Sequence, residues 1–248
     1  MLPRIFVEGQ GETGMMLRIG GDDGRHFARV LRVRPGERLV VAMDDGPWLG
    51  EIAAVEQADV VVSLHGRHLA SEPAAQFVLV QGMAKGDKME SILQKCTEIG
   101  AISFVVYQAE RSVARIDGKV EAKLERWRKI IREAAMQAQR DCVPDLTYVK
   151  SLSDLARLLQ GKGVTQTLLL DEMEQAQGLR SALQMVATDG ARALLVGPEG
   201  GWADAERDAF MRLPGACAVT LGRRILRTET AGMAALAAAL MHFGDMGG

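Results

Sequence analysis

The sequence has few cysteines, no long apolar segment and no sign of a targeting signal. Its three cysteines, Cys96, Cys142 and Cys217, lie far apart in apolar or helical contexts. This usage argues against disulfides and metal-ligand spacing, so we expect reduced thiols, no bound metal and a cytoplasmic location. The longest nearly uncharged run, residues 230–243, is shorter than the roughly 20 residues of a membrane span. No charged leader precedes an apolar stretch, so we expect a soluble globular protein without a membrane partner.

The overall charge argues against a globally basic nucleic-acid-binding protein. The formal net charge is −2, whereas domains that bind nucleic acid are commonly basic. A local exception lies between residues 18 and 38, where six arginines accompany three acidic residues. Because a guanidinium can donate two hydrogen bonds to one phosphate, this segment is a candidate RNA contact. A solvated charged face explains the same residues equally well.

The hydrophobic periodicity changes near residue 70 and predicts two domains. Residues 1–70 contain short strand-like segments and turns, such as Asp-Asp-Gly-Pro at 44–47, which are typical of a small β-barrel. After a linker at 71–75, short apolar runs alternate with helical segments from residue 76 to residue 248. This alternation predicts an α/β domain with a largely parallel sheet. Helices are expected at 119–139, at 179–187 and from about residue 230 onward.

Two loops near the end of the chain carry the strongest functional signal. The first reads Gly-Pro-Glu-Gly-Gly at 197–201, and the second, at 222–227, holds arginines between a strand and the last helix. Glycine allows a ligand to approach the backbone closely, and loops at the carboxyl ends of parallel strands are where ligands bind. The patterns of dinucleotide-binding loops and of P-loops are absent, so these two kinds of site are disfavoured.

Both loops, with their spacing and position, resemble those of the bacterial 16S ribosomal RNA uracil-N3 methyltransferases, a branch of the knotted SPOUT superfamily. The resemblance covers nearly the whole chain and includes residues 26–32, 84–89, 94–100 and 111–112. One segment differs: where the family tends to have Glu-Ala-Ala-Glu-Gln-Ser-Gly-Arg, residues 133–140 read Glu-Ala-Ala-Met-Gln-Ala-Gln-Arg. Within that segment, only Gln137 and Arg140 can take the roles that the family assigns to its matching residues.

The resemblance implies a fold and an activity. It implies a PUA-like, RNA-binding β-barrel at 1–70, a SPOUT methyltransferase domain at 76–248 with a C-terminal trefoil knot, and a homodimer. The implied reaction is methylation of N3 of a uridine in 16S ribosomal RNA, with S-adenosylmethionine as cofactor and the assembled small ribosomal subunit as substrate. Two other functions stay open: a knotted methyltransferase that modifies tRNA or a ribose 2′-hydroxyl, and a non-catalytic RNA-binding assembly factor.

The candidate catalytic residues are Arg227 and Glu199. A guanidinium beside the base would favour the deprotonated imide, and Glu199 could accept the N3 proton or face the positive charge of the cofactor. The alternatives are that Arg227 anchors a phosphate or is a surface charge near the start of a helix, and that Glu199 stabilises its own loop. The resemblance implies cofactor binding by Leu195, Gly197, Pro198, Glu199, Gly200, Leu221, Gly222, Ile225, Leu226, Arg227 and Thr228. It implies RNA binding by His26, Arg29, Arg32, Lys85, Lys95, Arg111, Gln137 and Arg140, although a solvated charge explains each lysine or arginine alone.

Overall fold

The structure is a computed structural model that describes residues 2–116, 118, 120–185 and 189–247. The helix start expected at 119 and the helix end expected at 187 lie outside the described residues, as do the outer limits of the two predicted domains, Met1 and Gly248. The chain forms two compact units. The first contains Met1–Glu72 and Ala135–Val143, and the second contains Pro73–Ala134 and Pro144–Gly248.

A mostly antiparallel sheet forms the first unit. In its described residues the strands are β1 (Arg4–Phe6), β2 (Met16–Ile19), β3 (Arg38–Met43), β4 (Gly46–Glu56) and β5 (Asp59–Arg67). Their order is β1-β3-β4-β5-β2, and only the β1–β3 pair is parallel. The turn expected between β3 and β4 is present, with Gly46 at a φ of 114° that suits glycine. A short helix, α1 (Gly21–Arg25), continues into a π-helical turn at His26–Leu31.

Buried ion pairs hold residues 135–143 within the first unit. The Asp141 carboxylate binds the guanidinium of Arg4, which comes from β1, and accepts a hydrogen bond from the Ser71 backbone N–H. Arg140 donates from Nε to both carboxylate oxygens of Glu72, at 3.0 and 3.1 Å. Periodicity alone assigns this segment to the second domain because it continues a long helix. The contacts group it with the first unit instead.

A parallel sheet forms the second unit. Its strands, in the described part of the chain, are β6 (Phe77–Gly82), β7 (Ser103–Tyr107), β8 (Asp145–Val149), β9 (Val164–Leu170), β10 (Ala191–Val196) and β11 (Ala216–Val219). Their order is β11-β9-β10-β6-β7-β8, with every neighbouring pair parallel. The strands β6, β7 and β10 are buried at every position, as expected for a sheet covered on both faces. This arrangement confirms the predicted α/β domain.

Helices α2 to α7 connect and cover these strands. They are α2 (Lys88–Ile99), α3 (Val120–Gln137), α4 (Leu152–Gly161), α5 (Leu179–Met185), α6 (Asp204–Phe210) and α7 (Thr228–Phe243). Helix α7 packs on the sheet at Gly232, where a Cβ would make ordinary contacts with Leu79 of β6 and Val196 of β10 at 3.5 and 3.6 Å. Over the residues that the structure describes, no helix combines the length and apolar character needed to span a bilayer.

We expect Arg4→Leu to lower the free energy of unfolding by about 3–5 kcal/mol, because it leaves the Asp141 carboxylate buried without its cation. The urea midpoint of the full-length protein measures this loss. Arg18→Leu is the matched control, since Arg18 pairs with Glu56 and Asp59 in an exposed network and its loss should change stability little. Equal midpoints for the two variants would contradict a structural role for the buried pair.

Candidate functional site

A cleft of about 1180 Å³ opens at the carboxyl ends of β9, β10 and β11. Three loops line it: the acidic loop (171–178), the glycine loop (197–203) and the arginine loop (220–227). The acidic loop pairs with the arginine loop, because the Thr220 N–H donates to the Gln177 carbonyl at 2.9 Å. Sequence reasoning found the glycine and arginine loops but missed the acidic loop. The acidic loop follows a parallel strand, and that position could have indicated that it contributes to the ligand site.

The glycine loop is folded tightly enough to require its glycines. Gly201 has a φ of 67°, and its N–H donates to the Pro198 carbonyl at 2.9 Å. A Cβ on Gly200 would lie 2.9 Å from the Arg111 carbonyl oxygen, which is closer than packed atoms approach. Below the loop, a Cβ on Gly82 would lie 2.5 Å from Cδ of Pro198. The loop therefore presents bare backbone to the cleft and rests directly on the end of β6.

A buried hydrogen-bond relay joins the glycine loop to the start of α7. Gln81, the penultimate residue of β6, donates from Nε2 to the Thr228 hydroxyl at 2.9 Å. The Thr228 hydroxyl donates in turn to the Gly197 carbonyl at 2.5 Å. Gln81 is 1% exposed and was missed from sequence, where an isolated glutamine in an apolar strand carries no distinctive signal. The relay holds the two loops in one arrangement.

Glu199 is anchored through its carboxylate. The Lys85 backbone N–H donates to Oε1 at 3.1 Å, and Nζ of Lys88 lies 3.1 Å from the same oxygen. Burial alone would raise the pKa of Glu199, but hydrogen bonds from the backbone N–H groups of Glu199 and Lys85, together with Lys88, hold it below its usual value. A proton acceptor at neutral pH needs a raised pKa, so this geometry favours the anchoring role over proton removal.

Arginine side chains line the open part of the cleft. Arg227 is exposed and precedes α7, where its carbonyl accepts the Thr230 N–H at 2.8 Å. Among the described residues its guanidinium forms no hydrogen bond or ion pair, so it can bind a ligand. In contrast, Arg207 binds the carboxylate of Asp171, which is 8% exposed at the end of β9. Trp202 packs against Tyr107 and Phe210, with ring centroids 6.0 and 4.8 Å away, and is a core residue.

The structure brings together most of the predicted cofactor-binding residues. Nine of the eleven line the cleft: Gly197, Pro198, Glu199, Leu221, Gly222, Ile225, Leu226, Arg227 and Thr228. Leu195 is instead fully buried in β10, and Gly200 packs against the backbone of Arg111. These two residues do not line the cleft.

The predicted RNA-binding residues are divided between the two units. In the second unit Arg111 lines the cleft, Lys85 is exposed, and Lys95 pairs with Glu98 at 2.9 Å. In the first unit the side chains of His26, Arg29, Arg32 and Gln137 are exposed. Arg140 is 4% exposed and its guanidinium forms an ion pair with Glu72, so its charge is compensated within the protein.

The fold and the cleft define a class of protein, which comparison with known families identifies. Residues 71–240 match the family model for an RNA methyltransferase domain, and residues 19–63 match that for an RNA methyltransferase PUA domain. The chain is therefore an RNA methyltransferase with a PUA domain. In the described residues, no three histidine, cysteine or carboxylate side chains come together as a metal site would require.

More specifically, the chain belongs to the ribosomal RNA small subunit methyltransferase E family, which confirms the resemblance noted from its loops. It is 34% identical to the member from Bacillus subtilis (strain 168), over 96% of this chain and 95% of the relative. It is 37% identical to the member from Mycobacterium bovis (strain ATCC BAA-935 / AF2122/97), over 94% of this chain and 89% of the relative.

Two solved structures share this fold at 28% sequence identity. One is the ribosomal RNA small subunit methyltransferase E of Neisseria gonorrhoeae bound to S-adenosyl methionine, with a TM-score of 0.80 and 96% of each chain covered. The other is a methyltransferase of Legionella pneumophila in complex with the cofactor SAM, with a TM-score of 0.79 and coverage of 96% of this chain and 97% of that one.

We expect Gly82→Ala to displace the glycine loop, because the new methyl group would overlap Pro198. Overpacking of this kind lowers the free energy of unfolding by about 1–3 kcal/mol. Urea denaturation measures this loss, and calorimetry with S-adenosylmethionine should show weaker binding. Gly161→Ala is the control, since a Cβ at the end of α4 meets no atom within 4 Å. Wild-type affinity in Gly82→Ala would show that the loop tolerates the displacement.

Proposed function

We propose that this protein transfers a methyl group from S-adenosylmethionine to N3 of a uridine in 16S ribosomal RNA. The observation that carries the proposal is the cleft between the glycine and arginine loops, with the guanidinium of Arg227, which pairs with none of the described residues, at its edge. Relatives named as ribosomal RNA small subunit methyltransferase E support the choice of RNA, and the neighbour bound to S-adenosyl methionine supports the cofactor.

The residues of the cleft fit S-adenosylmethionine. The glycine loop offers main-chain groups without side-chain obstruction, and the buried indole N–H of Trp202, beside Gly197, has no hydrogen-bond partner among the described residues. The carboxylate of Glu172 supplies negative charge for a cationic ligand. The cofactor-binding residues that line the cleft would hold the molecule, and when bound it supplies an activated methyl group.

Arg227 is the residue that we assign to the acceptor base. N3 of uracil carries a proton at neutral pH, and loss of that proton to solvent places negative charge on the imide. A guanidinium donates paired hydrogen bonds and positive charge, which stabilise that anion more than the neutral base. We assign Glu199 to holding the glycine loop, because its carboxylate is already engaged by Lys85 and Lys88.

Access to N3 sets a condition on the RNA. Watson–Crick pairing covers the imide edge, so the target uridine must be unpaired or flipped out of its stack. The exposed Arg29 and Arg32 of the first unit are suited to phosphate contacts that position the RNA without reading its sequence. The assembled small ribosomal subunit is the substrate that we propose.

We also propose the finer features that the family resemblance implies: a trefoil knot, a homodimer and a cytoplasmic location. The sheet order supports the knot. Strand β11 pairs with β9 at the edge of the sheet, and the chain that follows β11 leads through α7 back to β6 and β10. The last helix supports the dimer, because it exposes the apolar side chains of Ala238 and Met241, the latter 62% accessible.

Mass spectrometry of 16S RNA nucleosides tests the proposed reaction. Small subunits and free 16S RNA from a strain lacking the gene are incubated with the protein and S-adenosylmethionine. We expect 3-methyluridine at one position, formed faster on subunits. A methylated tRNA or ribose hydroxyl would replace the proposed substrate, and cofactor-dependent methylation of no RNA would favour a non-catalytic assembly factor.

We expect Arg227→Ala to lower kcat by roughly 100- to 1000-fold, the usual cost of removing a group that stabilises charge in the transition state. Cofactor affinity measured by calorimetry should change little, because the backbone of both loops is retained. Arg212→Ala, an exposed arginine outside the cleft, is the control. Methylation by Arg227→Ala at the wild-type rate would remove Arg227 from the chemistry.

We expect the double variant Arg29→Ala/Arg32→Ala to weaken RNA binding and to lower the slope of log K against log salt by roughly 2, about one for each lost phosphate contact. Filter binding over a range of salt concentrations measures the slope. Arg157→Ala, which removes an exposed arginine paired with Asp154, serves as the control. An unchanged slope would exclude these two arginines from the RNA site.

A further inference from the structure

Lys88 ties together three segments that are distant in sequence. It is the first residue of α2, and its ammonium lies 3.1 Å from Oε1 of Glu199 and 3.2 Å from Oε2 of Glu229. Glu199 belongs to the glycine loop, and Glu229 is the second residue of α7. The side chain of Lys88 lines the cleft and is 32% exposed. One cation therefore bridges two carboxylates beside the proposed reaction site.

The helix that Lys88 begins does not explain its charge. The amino terminus of a helix carries partial positive charge, so a cation at the first position of α2 is unfavourable unless a carboxylate neutralises it. Glu229 has the opposite situation, since a carboxylate in the first turn of α7 is favoured by that helix alone. The position of Lys88 is accounted for by its two carboxylate partners, both of which come from other segments.

Glu229 pairs with Lys88 and lies in the electrostatic field of Arg227. The pKa of Glu229 lies below its usual value, mainly because its own backbone N–H donates a hydrogen bond to the carboxylate. Burial raises the pKa in part, whereas Lys88 and the charge of Arg227 lower it further. Its contact with Lys88 is an ion pair of 3.2 Å, whereas Arg227 acts on it only through the longer-range field. Among the described residues, Arg227 has no ion-pair partner. Lys88 thus occupies the carboxylate that lies closest in sequence to the catalytic arginine.

We propose that Lys88 is a positioning residue that binds Glu229 and thereby leaves the guanidinium of Arg227 free for the acceptor base. This inference rests on the function proposed above. Without Lys88, Glu199 and Glu229 would lose the cation that they share, and Glu229 would draw the neighbouring Arg227 into an ion pair. Arg227 would then have to break that pair before it could stabilise the imide anion.

Three variants test this role, with methyl transfer to small subunits as the assay. Lys88→Met removes the charge and should lower kcat by roughly 10- to 100-fold, the range expected when a catalytic group is displaced. Lys88→Arg restores a cation and should recover most of kcat. Lys88→Met/Glu229→Gln also removes the competing carboxylate, so it should recover much of the kcat that Lys88→Met loses.

Cofactor binding distinguishes this role from a general loosening of the site. Glu199 keeps its hydrogen bond from the Lys85 N–H, so calorimetry should give Lys88→Met nearly the wild-type Kd for S-adenosylmethionine. Lys162→Met is the matched control, because it removes another lysine from an ion pair, with Asp145 at 2.7 Å, outside the cleft. It should leave kcat and Kd unchanged.

The possible outcomes separate the two proposals. A wild-type protein that methylates no RNA refutes the proposed function and this inference with it. Transfer by the wild type and by Lys88→Met at equal rates refutes the role of Lys88 alone. A double variant no faster than Lys88→Met, or a Kd that rises in parallel with the loss of kcat, would also overturn it, since Lys88 would then act through the glycine loop.

Discussion

The cleft depends on the buried relay from Gln81 through Thr228 to the Gly197 carbonyl. A buried donor or acceptor left without its partner costs about 1–3 kcal/mol, so few other arrangements of these groups are accessible. The relay fixes the glycine loop and the first residue of α7 to the same strand, although they lie on opposite sides of α6 and β11 in the sequence. A ligand between the two loops therefore meets backbone that is already positioned.

Three of the acids near this relay are paired with cations. Asp171 binds Arg207, and Glu199 and Glu229 share Lys88. Arg227 is left without such a partner among the described residues. Pairing of the surrounding acids lowers the competition for its guanidinium, which is what stabilisation of a developing anion requires. The acids also keep the cleft from being uniformly positive, which would oppose binding of a cationic cofactor.

The parts of this site that can be predicted from sequence are those with a local signal. The Gly-Pro-Glu-Gly-Gly segment, the arginine loop and the alternation of strands and helices are each visible within a short window, and the parallel sheet confirms that interpretation. Lys88 and Gln81 have no such signal, because their partners lie more than a hundred residues away. Arg140 illustrates the same limit: its match to a family position suggested RNA, whereas Glu72 binds its side chain. Long-range pairing depends on the finished topology.

The segment 135–143 has a consequence for how the chain is made. Arg4 and Glu72 find their buried partners, Asp141 and Arg140, only in that segment. Synthesis proceeds from the amino terminus, so a nascent chain that has emerged only as far as residue 72 cannot complete its first unit. Arg4 and Glu72 therefore lack these ion-pair partners until more than half of the polypeptide has left the ribosome.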